Sequence, residues 1–262
     1  MTVALVASID ASGAVIRAAS PEYIHRVFVR GGSVDYARLA DKANGMAANR
    51  RGIVDELNLR AMALGRRPST KSDSLSLWIN AYNMLTIDLI VREWVVRKGR
   101  LKSIKEIPGA WSRPKWTVGG RTVTLDQIEH DILRKEFHEP RIHFALVCAS
   151  KSCPALRPKE FRADFLDAQL DSAAREFVLD PSRNDFTPRN GAIRISKIFD
   201  WYKKDFVGVY SDATYERLYG KELGAVLAYV WRFLPAETVA ALRAKRVRVT
   251  YLPYDWSLNV AP

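Results

Sequence analysis

The sequence predicts an α+β fold: a small, mostly antiparallel or mixed sheet packed on a buried central helix, with additional helices at the periphery. Three observations carry that expectation. The stretch "LSLWINAYNMLTIDLIV" (75–91) is apolar almost all round, which in a soluble protein marks a helix enclosed by its own fold. "WTVGGRTVTL" (116–125) alternates β-formers around Gly119-Gly120, the pair that a tight primed hairpin turn demands. Short β-rich segments then alternate with amphipathic helical ones, without an internal repeat.

Residues 1–20 are small and apolar without a clear period, and support a short strand pair or an ordered arm. Helical spacing dominates 33–64, weakened locally by Gly45 and Gly52. "GRRPSTKSD" (65–73) reads as a polar linker, with Ser72 or Asp73 placed to cap a helix over 74–97. The hairpin leads into an amphipathic helix over 124–137, capped by Thr124 or Asp126. "RIHFALV" (141–147) has the profile of a fully buried strand. A helix over 161–180, a strand over 192–196, a short aromatic helix over 197–208 and a helix over 220–234 follow. A strand from 247 running into a loop to 260 closes the chain. Residues 1–65 then form a helical N-terminal extension and 66–262 an α+β domain, together one compact unit.

The chain has 262 residues, a hydrophobic fraction of 48% and seven Trp, ample for a packed core. Its net charge of +12 invites a nucleic-acid reading, but the excess is scattered. The densest runs are "RKGRLKSIK" (97–105) and "RAKRVRV" (243–249), with no Gly-rich phosphate loop, zinc-finger spacing or aromatic-glycine RNA signature. A solvated basic surface is therefore expected, free to dock an acidic partner or an anionic surface, with no specific nucleic acid. Asn80, Asn83 and Asp88 interrupt the longest apolar run, so no membrane span is expected. The start lacks the basic region of a signal peptide. The chain reads as soluble, its compartment (cytoplasmic, periplasmic or secreted) undecided.

Both cysteines and one of the four histidines lie in "RIHFALVCASKSCPALRP" (141–158). On a strand, His143 would point away from Cys148, and Cys148 would sit at the strand's carboxyl end, where α/β proteins place functional groups. A nucleophilic thiol needs a nearby imidazole or cation. His130, with Glu129 as its orienter, is the candidate from elsewhere in the chain, and Lys151 adds positive charge. Glu129-His130 read alone is also an ordinary solvated helix pair, and Cys148 an ordinary small core residue. A zinc site would recruit Cys148, Cys153, His130 and Glu129, although the four-residue gap between the cysteines is looser than the usual knuckle. No other cofactor is implied. A Cys148–Cys153 disulfide would close a short loop and add little stability. Ser76, Asn80 and Asn83 form one stripe on the central helix. They must be hydrogen-bonded, to the loops at 148–154 or 251–259, or face a wet cavity. His25 and His138, in charged contexts, are expected at the surface.

Six ordered stretches resemble the domain of unknown function 547 family: "LWINAYNMLTI" (77–87), "VGGRTVTLDQIEHDILR" (118–134), "PRIHFALVCASKSCPALRP" (140–158), "LDAQLDSAAREFVLD" (166–180), "ISKIFDWYKKDF" (195–206) and "YLPYDWSLN" (251–259). The resemblance spans roughly 70–206 plus the tail and implies no settled activity. Its characteristic positions fall on Asn80, Asn83, Glu129, His130, His143, Cys148, Ser152, Cys153 and the Asp255-Trp256 pair. Asn, Glu, His and Cys drawn together compose a thiol-dependent site, with papain- and transglutaminase-like hydrolases as a fold-level analogy. The leading expectation is a cysteine-dependent hydrolase or acyl transferase acting on an amide, ester or thioester of a small molecule or peptide. Cys148 would be nucleophile, His130 base, Glu129 orienter, and Asn80 or Asn83 the group polarising the carbonyl. The alternatives are a non-catalytic interaction module with a basic surface, and a zinc-binding protein.

Overall fold

A computed structural model describes residues 8–9, 15–16, 21–41, 50–65 and 69–262. Gly45 and part of the helical stretch expected over 33–64 lie outside the described residues. Ser8–Ile9 (β1) and Val15–Ile16 (β2) pair antiparallel. The chain continues through Pro21–Phe28 (α1), Val29–Arg30 (β3), Ser33–Val34 (β4), Tyr36–Ala40 (α2) and Arg50–Gly65 (α3). The central helix, Lys71–Val96 (α4), has 26 residues, about 39 Å at 1.5 Å per residue. Its cap is Thr70 rather than Ser72 or Asp73: Thr70 and Asp73 bond each other's backbone N–H in a capping box. By length and composition α4 could cross a bilayer, but its most apolar window is 89% buried inside the protein.

The hairpin forms as its sequence dictates. Trp116–Val118 (β5) and Arg121–Val123 (β6) pair with Thr117 opposite Thr122, and both turn glycines take positive φ. The helix that follows is capped at Thr124, whose hydroxyl accepts from the Gln127 N–H while the Gln127 side chain accepts from Thr124. It widens into a π-turn at Gln127–Leu133 before closing as Arg134–Phe137 (α5).

"RIHFALV" is not a strand. Pro140 stands at the first turn of a 3₁₀ helix, Pro140–Phe144, and the Glu139 side chain caps it by accepting from the Arg141 N–H. The segment then runs irregularly through Val147 to Cys148. Beyond it come Leu166–Leu179 (α6), Asp185–Arg189 (β7), Ala192–Ile195 (β8), Lys197–Trp201 (α7), Lys203–Tyr210 (α8), Ala213–Tyr219 (α9), Lys221–Val230 (α10), Ala236–Ala244 (α11) and Arg248–Tyr251 (β9). The sheet β7-β8-β9 is mixed: β7 pairs antiparallel and β9 parallel to β8.

Two apolar clusters hold the chain. The first surrounds α4 with Ile24, Tyr36, Ile53 and Leu57 from the N-terminal segments, Trp116 and Val123 from the hairpin, and Ile128 and Leu133 from the π-turned helix. The second joins Ile193 and Ile195 of the mixed sheet to α6, α7, α8 and α10. The 3₁₀ helix stitches them together, since Ile142 belongs to the first and Phe144 to the second. Between those two side chains stands His143.

Candidate functional site

At the seam of the two clusters lies a cleft of about 290 Å³. Glu129, His130, His143, Cys148 and Cys153, candidates from two separate stretches, all line it. Asn80, Asn83, Ser152 and Asp255 do not. The Asn80 amide both donates to the Phe161 carbonyl (2.7 Å) and accepts from its N–H (3.0 Å). Asn83 donates to Ala145 O and accepts from Val147 N, each at 2.9 Å. The buried stripe is thus consumed in holding backbone, at 145–147 and 161 rather than at the expected loops. Ser152 accepts the Asp255 N–H at 2.8 Å, and Asp255 caps its own turn through Ser257, whose two bonds hold that carboxyl below its ordinary range. Both tie the cysteine loop to the C-terminal tail. His138 is exposed as expected, but His25 is buried on the Arg157 carbonyl, and burial lowers its pKa.

The cysteine loop is pinned from two sides. Lys151 N–H reaches Ser257 O at 2.8 Å and Asn259 N–H reaches Ala149 O at 3.1 Å, while Arg183 donates to the Cys153 carbonyl at 2.8 Å. Ala149 takes the left-handed region (φ 62°), turning the chain back directly after Cys148. Cys148 and Cys153 are joined as a disulfide, their Cα atoms 6.2 Å apart. In that state neither sulfur is a thiolate, so a nucleophile at Cys148 belongs to the reduced protein alone. Cys153 is buried; Cys148 is the more exposed of the two. Tyr254 and Ser150 hydroxyls surround the pair, Tyr254 at 3.1 Å from Cys153 Sγ and 3.5 Å from Cys148 Sγ. Burial pushes the Tyr254 hydroxyl up to about 12, keeping it a neutral donor.

Glu129 and His130 are sequence neighbours with different partners. Glu129 accepts from the Tyr202 hydroxyl at 2.6 Å and also bonds the fully buried Tyr82 hydroxyl, to which Trp111 is hydrogen-bonded. Burial and the Glu129 charge push both phenols up, so each stays a protonated donor. Glu129 therefore does not orient His130. Instead Nδ1 of His130 lies 3.1 Å from the Arg134 guanidinium, which can only donate, so the proton of a neutral His130 sits on Nε2. Asp126 is held up chiefly by burial, with His130 opposing and Glu129 adding to the rise.

The histidine that has an orienting carboxylate is His143. Its Nε2 is 2.7 Å from Asp205 Oδ2, and Arg134 clamps the same carboxylate through Nε (2.7 Å) and a terminal nitrogen (2.8 Å). Burial alone would raise the Asp205 pKa, but the bonds from Arg134 and His143 hold it well below the ordinary carboxylate range. An ionised carboxylate only accepts, so Nε2 carries the proton and Nδ1 is left as the basic nitrogen. Tyr202 stacks on the imidazole with centroids 3.8 Å apart and planes 15° from parallel, fixing the ring. Among the described residues no three His, Cys, Asp or Glu side chains are grouped as a metal would need.

Residues 67–178 match the family model described as "Protein of unknown function, DUF547". That stretch is a DUF547 domain. No curated protein and no solved structure matches the chain. The DUF547 stretch supplies Glu129, His130, His143 and both cysteines, whereas Trp201, Tyr202 and the aromatic residues of the tail complete the cleft from beyond it, with Asp205 of α8 hydrogen-bonded behind His143. Asp205 lies inside "DWYKKDF", where nothing in the spacing marks it as a partner for His143; only the fold brings α8 against the 3₁₀ helix. Trp201, Tyr202 and Tyr254 had one available signal, a concentration of aromatics in two otherwise polar segments, while Trp256 is among the positions the family resemblance marks.

Proposed function

We propose that the cleft is the active site of a thiol-dependent acyl hydrolase or transferase, competent once a dithiol has reduced the Cys148–Cys153 bond. The single observation behind this is the juxtaposition of His143, held by Asp205 and stacked by Tyr202, with Cys148 in one cleft. In the reduced state the Cys148 thiol passes its proton to His143 Nδ1, and the sulfur bonds to the carbonyl carbon of an amide, ester or thioester. The leaving group departs with the proton from His143, and water or an acceptor nucleophile then cleaves the acyl-enzyme. Asp205 keeps Nε2–H fixed and offsets the imidazolium charge, the role the sequence suggested for Glu129. His130, tied to Arg134, is reassigned as a cleft wall.

The test is alkylation by iodoacetamide after reduction with dithiothreitol, read by peptide mass. Cys148 is expected to label faster than Cys153 near neutral pH, and both His143→Ala and Asp205→Asn should slow it roughly tenfold, the loss of about one pKa unit of thiolate stabilisation. His130→Ala should change the rate little. Two slow thiols, indifferent to His143, would end the nucleophile reading.

A further inference from the structure

The protein is strongly basic, yet its cleft is not. Among the described residues that line the cleft none is Lys or Arg, in a chain with 41 of them. The wall carries two carboxyl groups, Asp126 and Glu129, and is otherwise dominated by rings. Trp201, Tyr254 and Trp256 form a continuous aromatic surface, with centroids 4.8 Å (Trp201–Tyr254), 4.6 Å (Tyr254–Trp256) and 5.7 Å (Trp201–Trp256) apart. Trp111 meets Trp256 edge-on at 6.1 Å. Trp201 is 42% exposed although large and apolar, so one of these rings stands open to solvent.

Ring faces and carboxylates both carry negative potential, and both attract cations. The protein already uses two rings of the cleft wall that way: Lys105 lies 5.0 Å over Trp256, and Arg134 lies 5.2 Å over Tyr202, its charge answered by Asp205. Neither cation lines the cleft. Glu129 is nearly buried, and tyrosine hydroxyls already occupy lone pairs of its carboxylate, so it acts on a ligand mainly as a charge at a distance. A primary ammonium, which needs several acceptors to replace its water, is poorly served there. An alkylated ammonium needs none and is matched by ring faces.

We propose that the cleft binds an alkylated ammonium group against Trp201, Tyr254 and Trp256, with Glu129 and Asp126 supplying the opposing charge. As the class of substrate this rests on the thiol chemistry proposed above, a substrate whose acyl or acceptor portion carries such a cation. The binding itself does not, and it is measured on the oxidised protein, where Cys148 cannot react.

The experiment titrates oxidised wild type with choline and with its neutral isostere 3,3-dimethylbutan-1-ol, following tryptophan fluorescence and heat. Choline is expected to bind saturably and roughly tenfold tighter than the alcohol, the factor a desolvated cation–ring contact supplies. Glu129→Gln, which keeps an acceptor for Tyr202, should remove most of that preference. Trp201→Ala, at an exposed ring, should weaken choline binding with its thermal unfolding unchanged. Equal binding of the two probes, no saturable choline binding, or a Glu129→Gln variant with the preference intact would overturn the proposal. None of these outcomes bears on the alkylation rates of the reduced thiols, so the two readings fail separately.

Discussion

Replacing Asp205 with Asn removes one charge from the junction of the two apolar clusters. Three charge-assisted hydrogen bonds end on this carboxylate, two from Arg134 and one from His143, all within 2.8 Å. Bonds of that kind contribute about 1.5–3 kcal/mol each when enclosed. The Asp205 and Arg134 side chains are 22% and 28% exposed, so solvent screening takes a large share of the sum. Asn retains one acceptor oxygen but turns an NH₂ toward N–H donors. The expected loss is about 2–4 kcal/mol at pH 7, or roughly 4–16 °C in Tm for a domain of this size. The pH dependence fixes the cause. Asp205 titrates below its ordinary 3.8 in the folded protein, so its contribution is complete above that value and disappears as pH falls through the lower, folded pKa. Urea denaturation of both proteins should show a constant gap between about pH 7 and pH 5 that narrows toward pH 2–3. A variant within about 0.5 kcal/mol of wild type at pH 7 would show that the clamp is an ordinary surface ion pair. A gap unchanged at acid pH would show that the carboxylate charge is not its origin.

Two further expectations concern packing. Asn83→Ala should cost about 2–4 kcal/mol in chemical denaturation, because it leaves the Ala145 carbonyl and the Val147 N–H buried without their partner; Asp88→Leu should cost a similar amount, since Asp88 is equally buried and accepts from the Trp116 indole at 2.9 Å. In α10, Gly224→Ala should lower stability by about 1–2 kcal/mol even though Ala is the better helix former, because a Cβ there would lie 2.7–2.8 Å from the α9 backbone at Tyr215 and Glu216; a gain in Tm would mean that α9 gives way freely.

What could be read without coordinates follows from how local each feature is. The central helix, the Gly119-Gly120 hairpin and the Thr124 cap each depend on a few adjacent residues, and each appears as its pattern suggests, save that the helix begins three residues earlier, behind Thr70. The stretch 141–147 misleads because a short apolar run does not distinguish a buried strand from a buried helical turn. The punctuation for the right answer was present in Glu139-Pro140, a capping side chain followed by proline at a first helical turn. His25 misleads for a different reason: its partner, the Arg157 carbonyl, lies 132 positions away, and its charged neighbours in sequence say nothing of that burial. The candidate site was half legible. Cys148, Cys153, His130, Glu129 and His143 do meet in one cleft, but the partnerships among them do not follow from proximity in sequence. Glu129 turns to Tyr202 and Tyr82, and His143 finds Asp205 62 positions away. Such pairings depend on how two clusters dock, and no local pattern encodes that.

The π-turn sets a limit on how this chain can change length. Its signature is the bond from the Arg134 N–H to the Glu129 carbonyl, five residues back instead of four. One face of the helix thereby presents Glu129 to the Tyr202 hydroxyl and Arg134 to the Tyr202 ring. Losing one of residues 130–133 would leave Glu129 and Arg134 four apart, still on one face of an ordinary helix at about 100° per residue. Gaining one there would set them six apart, about 240° round such a helix, and take one of the two away from Tyr202. The hairpin and the Thr124 cap anchor one end of the segment, and Asp205 anchors the other, so neither end is free to absorb that rotation. An exposed surface loop, by contrast, tolerates the same gain at little cost. In this helix the number of residues, as much as their identity, is under structural constraint.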